Sequence, residues 1–442
     1  MSTGRLFGTD GVRGVANEQL TPQLAFDLAR AAAGSLDGPS GDTVLIGRDT
    51  RRSGPMLTAA LHSGFNSVGV DTVDLGVIPV GGVSRLIRSE GAAMGVMVSA
   101  SHNPAADNGV KLIGPNGNKL PDAEEEAIAA RYFAGGPHPQ PTGGGVGWAS
   151  ELTDAGNRYV GQLVVDEASS LDGMAIVLDC ANGAASWAAP ELFTRLGADV
   201  EVHAAAPDGV NINDGVGATH PEALAPLVRG RVGFCFDGDA DRLVAVDEDG
   251  VVANGDVILA VLANDMKSRG RLAGDRVVTT VMANLGFTHA MASLGIEVDQ
   301  TKVGDRYVLE QMQRVGATLG GEQSGHVVLE DRVSGDGLRT AARVAAVMAA
   351  TGAELRQLRR VITEFPQVLH NVRVANREGL AGATEVWAAV KYAEEGLGDQ
   401  GRVLVRASGT EPLVRVMVEA ATVETAEQVA GSLAELVATA LG

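Results

Sequence analysis

One arrangement recurs three times along the chain and limits its fold more than any other feature. A short apolar run is followed by a polar turn, a helix-length stretch, a glycine and a second short apolar run. In the first copy Val44–Ile46 leads into a stretch over about Pro55–Val68, then Gly69 and Val70–Val73. The second runs from Ala175–Leu178 through Asp179–Ser186 and Pro190–Leu196 to Gly197 and Asp199–Val202. The third runs from Val277–Val281 through Met282–Phe287 and Thr288–Leu294 to Gly295 and Ile296–Asp299. Apolar runs too short for helices, alternating with segments that are long enough, are the pattern of βαβ units. Pro55 suits a first helical turn and Gly69 a helix C-terminus. Since 442 residues also exceed what one hydrophobic core holds, three similar α/β domains are expected rather than one very large sheet.

Between Gly135 and Gly147 the chain is almost entirely Gly, Pro and small polar residues, the composition of a linker or long loop, and the first boundary is placed just after it. Near Phe365–Pro366 the pattern changes to strand Leu369–Val374, a helix around Ala383–Ala393, strands Val403–Arg406 and Leu413–Val418, and an amphipathic helix from Glu424 to Leu441. The expected architecture is α/β: three related α/β domains and a smaller C-terminal α+β domain, divided as 1–150, 151–253, 254–366 and 367–442.

Charge narrows the function classes. A formal net charge of −20 repels nucleic acid and anionic membrane surfaces, so neither is an expected partner, and any phosphate-bearing ligand needs local compensation. The two cysteines, Cys180 and Cys235, form neither a spaced metal motif nor a disulfide framework. No signal-peptide core lies in Met1–Gly14, and no run approaches the ~18 apolar residues of a membrane span. The cytoplasm is the expected location.

Five segments carry candidate chemistry. Strand Val96–Val98 runs into Ser99-Ala100-Ser101-His102-Asn103-Pro104, which would place Ser101 exposed at a strand end beside an imidazole, as suits a nucleophile or a phosphoryl carrier. An ordinary turn has the same composition. After strand Val232–Phe236, the carboxylates of Asp237, Asp239 and Asp241 fall at alternate positions, costly unless a cation neutralises them. The spacing nearly meets an EF-hand loop, with Glu248 twelfth, but Arg242 stands where the sharp turn needs glycine and the flanks read as strands. A Mg²⁺-type site is favoured over a Ca²⁺ loop or a solvated acidic turn. Arg406-Ala407-Ser408-Gly409-Thr410-Glu411-Pro412, with Arg415 beyond, combines backbone N–H groups, hydroxyls and guanidiniums able to wrap a phosphate, or forms a plain polar hairpin. Gly320–His326, containing Glu322 and Ser324, suits sugar hydroxyls; Phe7–Gly14 presents Arg13 on a glycine-flanked loop; Lys111 follows the serine segment closely enough to share its site or simply to face solvent.

Taken together and in order, these segments resemble the α-D-phosphohexomutase superfamily over nearly the whole chain, from Phe7 to Arg415. The Ser-His-Asn-Pro, Asp-Gly-Asp-Ala-Asp-Arg, Gly-Glu-x-Ser-Gly and Arg-x-Ser-Gly-Thr-Glu-Pro motifs carry the resemblance. Phe7–Gly14, Gln323 and Thr301–Arg306 are similar to its bacterial glucosamine branch. That resemblance implies four domains around a central cleft and exchange between glucosamine 6-phosphate and glucosamine 1-phosphate, feeding UDP-N-acetylglucosamine and cell-wall precursors. It implies that Ser101 carries the phosphoryl group, that Asp237, Asp239 and Asp241 hold Mg²⁺ with a phosphoserine oxygen, and that Arg13, Lys111 and His102 attend the transfer, Lys111 or His102 shuttling the proton. Arg242, Lys302, Asp305, Glu322 and Ser324 would contact the sugar, and Arg406, Ser408, Gly409, Thr410 and Arg415 the non-reacting phosphate. A hexosamine or hexose 1,6-bisphosphate would serve as primer and intermediate. Self-association and a priming serine kinase stay open, as do the mannose- and glucose-directed branches, a metal-dependent phosphatase and a non-catalytic phosphosugar sensor.

Overall fold

The computed structural model describes residues 6–8, 10–36, 42–136, 138–167, 169–333, 335–408 and 412–442. They fall into two units, Met1–Val281 with Glu297–Arg360, and Met282–Ile296 with Val361–Gly442.

The first unit opens with strand β1 (Val12–Val15), helix α1 (Pro22–Ala33), β2 (Thr43–Arg48), α2 (Gly54–Asn66), β3 (Asp71–Val77), α3 (Val80–Glu90), β4 (Met94–Val98), β5 (Asp107–Ile113), α4 (Asp122–Ala134) and β6 (Ala149–Glu151). Its second stretch holds α5 (Ala155–Glu167), β7 (Ala175–Asp179), α6 (Ala185–Arg195), β8 (Asp199–His203), the short α7 (Ala225–Val228), β9 (Val232–Phe236), β10 (Leu243–Val246) and β11 (Val252–Ala253). Then come α8 (Gly255–Ser268) and β12 (Arg276–Thr280); after α9 (Leu285–Ser293), which belongs to the second unit, the first resumes with β13 (Glu297–Thr301), α10 (Asp305–Val315), β14 (Gly320–Gly321), β15 (Val327–Val328), α11 (Gly337–Thr351) and the short α12 (Leu355–Leu358).

Three sheets result, ordered β1-β5-β4-β2-β3-β6, β11-β10-β9-β7-β8 and β13-β12-β14-β15. They share one plan. In each, a central strand (β2, β7, β12) has its successor parallel on one side (β3, β8, β13) and the third strand parallel on the other (β4, β9, β14), and the fourth (β5, β10, β15) turns back antiparallel beside the third. β4 and β9 are buried along their whole length, as strands covered on both faces must be, and this is why they read as unbroken apolar runs. The three repeat glycines, Gly69, Gly197 and Gly295, have φ of +90°, +96° and +66°, backbone that a residue with a Cβ enters only under strain.

The second unit adds a three-stranded antiparallel sheet, β16 (Gln367–Arg373), β17 (Gly401–Ala407) and β18 (Leu413–Ala420), ordered β16-β18-β17, with α13 (Thr384–Leu397) and α14 (Val423–Leu441). Ala426, Ala430, Leu433, Val437 and Leu441 form the buried stripe of α14 against Val414, Val416 and Val418 of β18.

The elements differ from the sequence reading mainly at their ends. The second repeat's helix starts at Ala185, so Pro190 lies inside it instead of near its start; the proline ring holds a helical φ and sacrifices a single N–H bond. The segment around Arg13 is edge strand β1, paired with β5, rather than a loop. β6 crosses the 150/151 division and pairs with β3, within the first sheet. Cys180 and Cys235 are free and buried. Among the described residues no helix is long and apolar enough to cross a membrane.

Candidate active site

The reversal between third and fourth strand recurs in all three α/β sheets, and each reversal carries one of the chemical segments. Ser101 lies between β4 and β5, Asp237 to Arg242 between β9 and β10, and Glu322 to His326 between β14 and β15. Ligand sites in sheets of this kind gather at the carboxyl ends of the parallel strands. Backbone bonds tie the second and third turns to each other and to neighbouring helices: Leu243 N–H donates to Gly325 O at 2.9 Å, Gly255 N–H, at the start of α8, to Gln323 O at 3.0 Å, and Val80 N–H, at the start of α3, to Asp239 O at 3.0 Å.

Ser101 is buried, with 1% of its surface exposed, where the sequence suggested an exposed strand end. The reason is tertiary, because the acidic turn of the second sheet closes over it. Its Oγ donates to Asp237 Oδ2 at 2.6 Å and lies 3.3 Å from His102 Nδ1. Burial first, then Arg242 and Arg13, push the His102 imidazole down to about 4, so it is neutral at physiological pH.

The three aspartates converge. One ligand oxygen from each of Asp237, Asp239 and Asp241 lies within 4.8 Å of the others, and all three residues are buried. Burial, with Asp241 and Asp239 adding repulsion, holds the Asp237 carboxyl well above the usual carboxylate range. For Asp241 burial acts in the same upward direction, but Lys111, His326 and Arg242 outweigh it and draw the group below that range. Asp239 Oδ1 and Asp241 Oδ1 are buried with no hydrogen-bond partner, an arrangement that fits a hard divalent cation. The flanking strands β9 and β10 are antiparallel, which rules out the helix–loop–helix of an EF-hand.

Lys111, 2% exposed, is no surface lysine. Its Nζ is 2.7 Å from Asp239, 2.9 Å from Asp10 and 3.5 Å from Asp241. Burial opposes its charge, but Asp10 and Asp239 prevail and keep it protonated well above the ordinary lysine value. Arg13 pairs with Asp10 and reaches Asn103 Oδ1 at 3.5 Å. Lys119 bridges Asp10 and Asp305, and His326 Nε2 lies 3.4 Å from Asp305. Burial would raise the Asp10 carboxyl, yet Lys111, Lys119 and Arg13 hold it well below its usual value. Sequence reasoning missed Asp10, Lys119 and His326. Asp10 stood in the segment that presented Arg13 and His326 closed the sugar segment, so both were legible; no motif surrounds Lys119.

Of the sugar candidates, Arg242 donates its backbone N–H to Asp237 Oδ1 at 3.2 Å, and Glu322 Oε1 accepts from Gly304 N–H at 3.0 Å. Burial raises the Glu322 carboxyl, and Asp305 adds to the effect against His326. Asp305 joins this cluster through Lys119. Lys302 instead stands 3.7 Å over the Tyr307 ring, and Ser324 is exposed at the turn.

The phosphate segment lies in the second unit. Arg406 and Arg415 are directly opposite on β17 and β18, and Ser408 N–H donates to Leu413 O at 2.9 Å as the hairpin closes. Two guanidiniums facing across a strand pair repel, and burial followed by Arg415 lowers the Arg406 pKa. Gly409 and Thr410 lie outside the described residues.

The three alpha/beta/alpha domains of the phosphoglucomutase/phosphomannomutase family match residues 4–138, 157–250 and 254–365, and its C-terminal domain matches 369–436. The chain belongs to that family. Its curated relatives include the phosphoglucosamine mutases of Saccharopolyspora erythraea, 52% identical over 98% of this chain and 99% of the relative, and of Streptomyces griseus, 50% identical over 99% and 100%. A phosphoglucomutase/phosphomannomutase family protein from Burkholderia thailandensis superposes with a TM-score of 0.83 at 26% identity, covering 98% of this chain and 97% of the other. Aspergillus fumigatus N-acetylphosphoglucosamine mutase, solved with GlcNAc-6P and magnesium, shares the fold with a TM-score of 0.69 at 19% identity, over 99% and 96%.

Proposed function

We propose that the chain is a phosphoglucosamine mutase, exchanging glucosamine 6-phosphate and glucosamine 1-phosphate through phosphoserine at Ser101 and a 1,6-bisphosphate. The observation that carries this reading is the placement of Ser101 Oγ 2.6 Å from Asp237, inside a buried cluster of three carboxylates and Lys111. Relatives about as similar as 50% over their whole length favour the glucosamine substrate.

Asp237, Asp239 and Asp241, with an oxygen of the Ser101 phosphoryl group, would hold Mg²⁺, as the unpartnered Oδ1 atoms of Asp239 and Asp241 suit. Bound there, the ion supplies positive charge against the phosphoryl oxygens and the serine leaving oxygen. The protein's own groups position and neutralise. In the first half-reaction the P–Oγ bond of phosphoserine breaks, a P–O1 bond to the sugar forms, and the O1 proton passes to Oγ, leaving a serine hydroxyl. After the bisphosphate turns end for end, its P–O6 bond breaks, a P–Oγ bond forms, and the Oγ proton passes to O6. No water is consumed. Neutral His102, 3.3 Å from Oγ, is placed to trade that proton, whereas Lys111, held protonated by Asp10 and Asp239, contributes charge along with Arg13. Glu322, Ser324, Arg242, Lys302 and Asp305 address the sugar. Arg406, Ser408, Gly409, Thr410 and Arg415 hold the phosphate that is not reacting, an anion that would relieve the facing arginine pair.

In this reading the serine, metal, sugar and phosphate segments belong to domains 1–150, 151–253, 254–366 and 367–442. A catalytic amount of 1,6-bisphosphate or a serine kinase primes Ser101. The enzyme acts in the cytoplasm, and its product is drawn into UDP-N-acetylglucosamine. The test is coupled turnover of glucosamine 6-phosphate beside glucose and mannose 6-phosphates, with Mg²⁺ and a trace of hexose 1,6-bisphosphate. Highest kcat/KM for glucosamine 6-phosphate is expected. A preference for mannose or glucose 6-phosphate would move the chain to another branch, and release of free phosphate without isomerisation would make it a phosphatase.

A further inference from the structure

Ser101 is held in an unfavourable backbone conformation, φ +52°, in the left-handed region that a residue with a Cβ occupies only when its surroundings insist. The surroundings are unusually complete. The side chain of Arg51, entirely buried, donates from Nε to Asp49 Oδ2 at 2.9 Å, from Nη2 to Ser101 O at 3.0 Å and Asn103 O at 2.7 Å, and from Nη1 to Asp107 O at 3.0 Å and to Pro104 O. A guanidinium has five N–H groups, and each has an acceptor here. From the second sheet's connection, Asn213 Nδ2 donates to the same two carbonyls, Ser101 O at 2.9 Å and Asn103 O at 3.1 Å. A carbonyl has two lone pairs, so Ser101 O and Asn103 O are each saturated by one donor from either side. Asp49 completes the frame: it accepts from Ser99 Oγ at 2.7 Å, and Ser99 Oγ accepts from Ser101 N–H at 2.8 Å. Between these parts Gly238 leaves room, since a Cβ there would lie 2.4 Å from Ser101 O.

We infer that Arg51 and Asn213 are positioning residues for phosphoryl transfer, a two-sided clamp that fixes the Ser101 backbone so that Oγ stays aimed at the carboxylate cluster. This rests on the phosphoserine reading proposed above. Within it the need is physical. Ser101 gains and loses about two negative charges in every cycle, and an unclamped loop would relax out of its left-handed turn as the charge changes. Transfer demands in-line placement, and a displacement of about 1 Å costs on the order of 100-fold in rate. The clamp touches neither substrate nor phosphate and acts only through the serine's backbone.

The test compares Arg51→Lys, which keeps the charge but has three donors in place of a planar fork, with Asn213→Asp, nearly isosteric but without an N–H to give. Wild type, both variants and the double variant are loaded on Ser101 with glucose 1,6-bisphosphate. Single-turnover transfer to glucosamine 6-phosphate is then measured per phosphoserine present, alongside steady-state KM and the thermal midpoint. Both single variants should transfer roughly 10–100-fold more slowly with KM within about threefold, and the double variant should lose less than the product of the two, because both arms hold the same carbonyls. A role in folding alone would lower the midpoint and the loaded fraction but leave transfer per phosphoserine at the wild-type rate; that result, or strictly multiplicative losses, overturns the clamp. Should Arg51→Lys fail to fold, Asn213→Asp decides the matter by itself. Ser101→Ala separates the two levels. If it retains turnover, the phosphoserine reading falls and the clamp with it; if it is dead while both clamp variants transfer normally, the clamp alone is wrong.

Discussion

Replacing Arg85 with Met should destabilise the first unit by about 4 kcal/mol, and the structure indicates which contact is responsible. Arg85 is 8% exposed and donates to three carboxylates: Asp336 at 3.0 Å, Asp166 at 2.7 Å and Asp331 at 2.8 Å. These losses are unequal. The Asp166 side chain is 36% exposed, so water takes over at a cost of roughly 0–1 kcal/mol. Asp331 keeps Arg339 at 2.5 Å. Asp336 is 5% exposed; it retains the Tyr159 hydroxyl at 2.8 Å and the Arg339 N–H at 3.0 Å but loses its neutralising guanidinium, and stranding a buried charge in this way costs about 3–5 kcal/mol. Methionine refills most of the apolar volume of the arginine stem, so little cavity cost is added. The loss should reach the acidic turn of Asp237, Asp239 and Asp241, because Asp336 caps α11 and the first N–H of that helix, Gly337, donates to Ala240 O at 2.9 Å. Urea unfolding of the wild type, Arg85→Met, Asp336→Asn and the double variant measures the cycle, with Mg²⁺ titration of activity as the second readout. Neutralising Asp336 in the Arg85→Met background should recover at least about 2 kcal/mol. A single-variant loss below about 1 kcal/mol, or no recovery, would refute the assignment of the energy to Asp336.

Asp239→Asn should abolish most Mg²⁺-dependent turnover, since a neutral amide binds a hard cation less well than a carboxylate; an unchanged Mg²⁺ dependence would contradict the metal assignment. Gly255→Ala places a Cβ 2.0 Å from Glu322 O and 2.7 Å from Gly325 N, so the sugar turn must shift at a cost of roughly 1–3 kcal/mol. KM for glucosamine 6-phosphate should rise about tenfold with the Mg²⁺ midpoint unmoved, and a wild-type KM would show that this turn does not bear on the sugar. Arg415→Ala should lower kcat/KM about 10–100-fold in both directions, since one phosphate site must serve both halves of the cycle. Wild-type values in both directions would remove Arg415 from that site.

What the sequence determined by itself is whatever depends on near neighbours. The repeat of strand, helix and positive-φ glycine follows from backbone hydrogen-bond periodicity and from the steric freedom of Gly69, Gly197 and Gly295, all local properties. The apolar runs of β4 and β9 similarly reported strands buried on both faces, and the alternate aspartates after β9 reported a cluster of converging carboxylates because their spacing lies within one short turn. Element ends were less legible, as at Pro190, because packing decides whether a helix continues through a residue that tolerates either outcome. The tertiary structure alone decided which groups meet and how far each lies from water. It buried Ser101 and Lys111, where the sequence allowed exposure, and it joined Asp10, Lys119, Asp305 and His326, distant in the chain, into one cluster of ionisable side chains. It also converged Arg51 and Asn213 on two carbonyls of the serine turn. Charge state and hydrogen-bond strength depend on what covers a group, and here the cover is supplied by loops of other sheets, whose arrival no local pattern encodes.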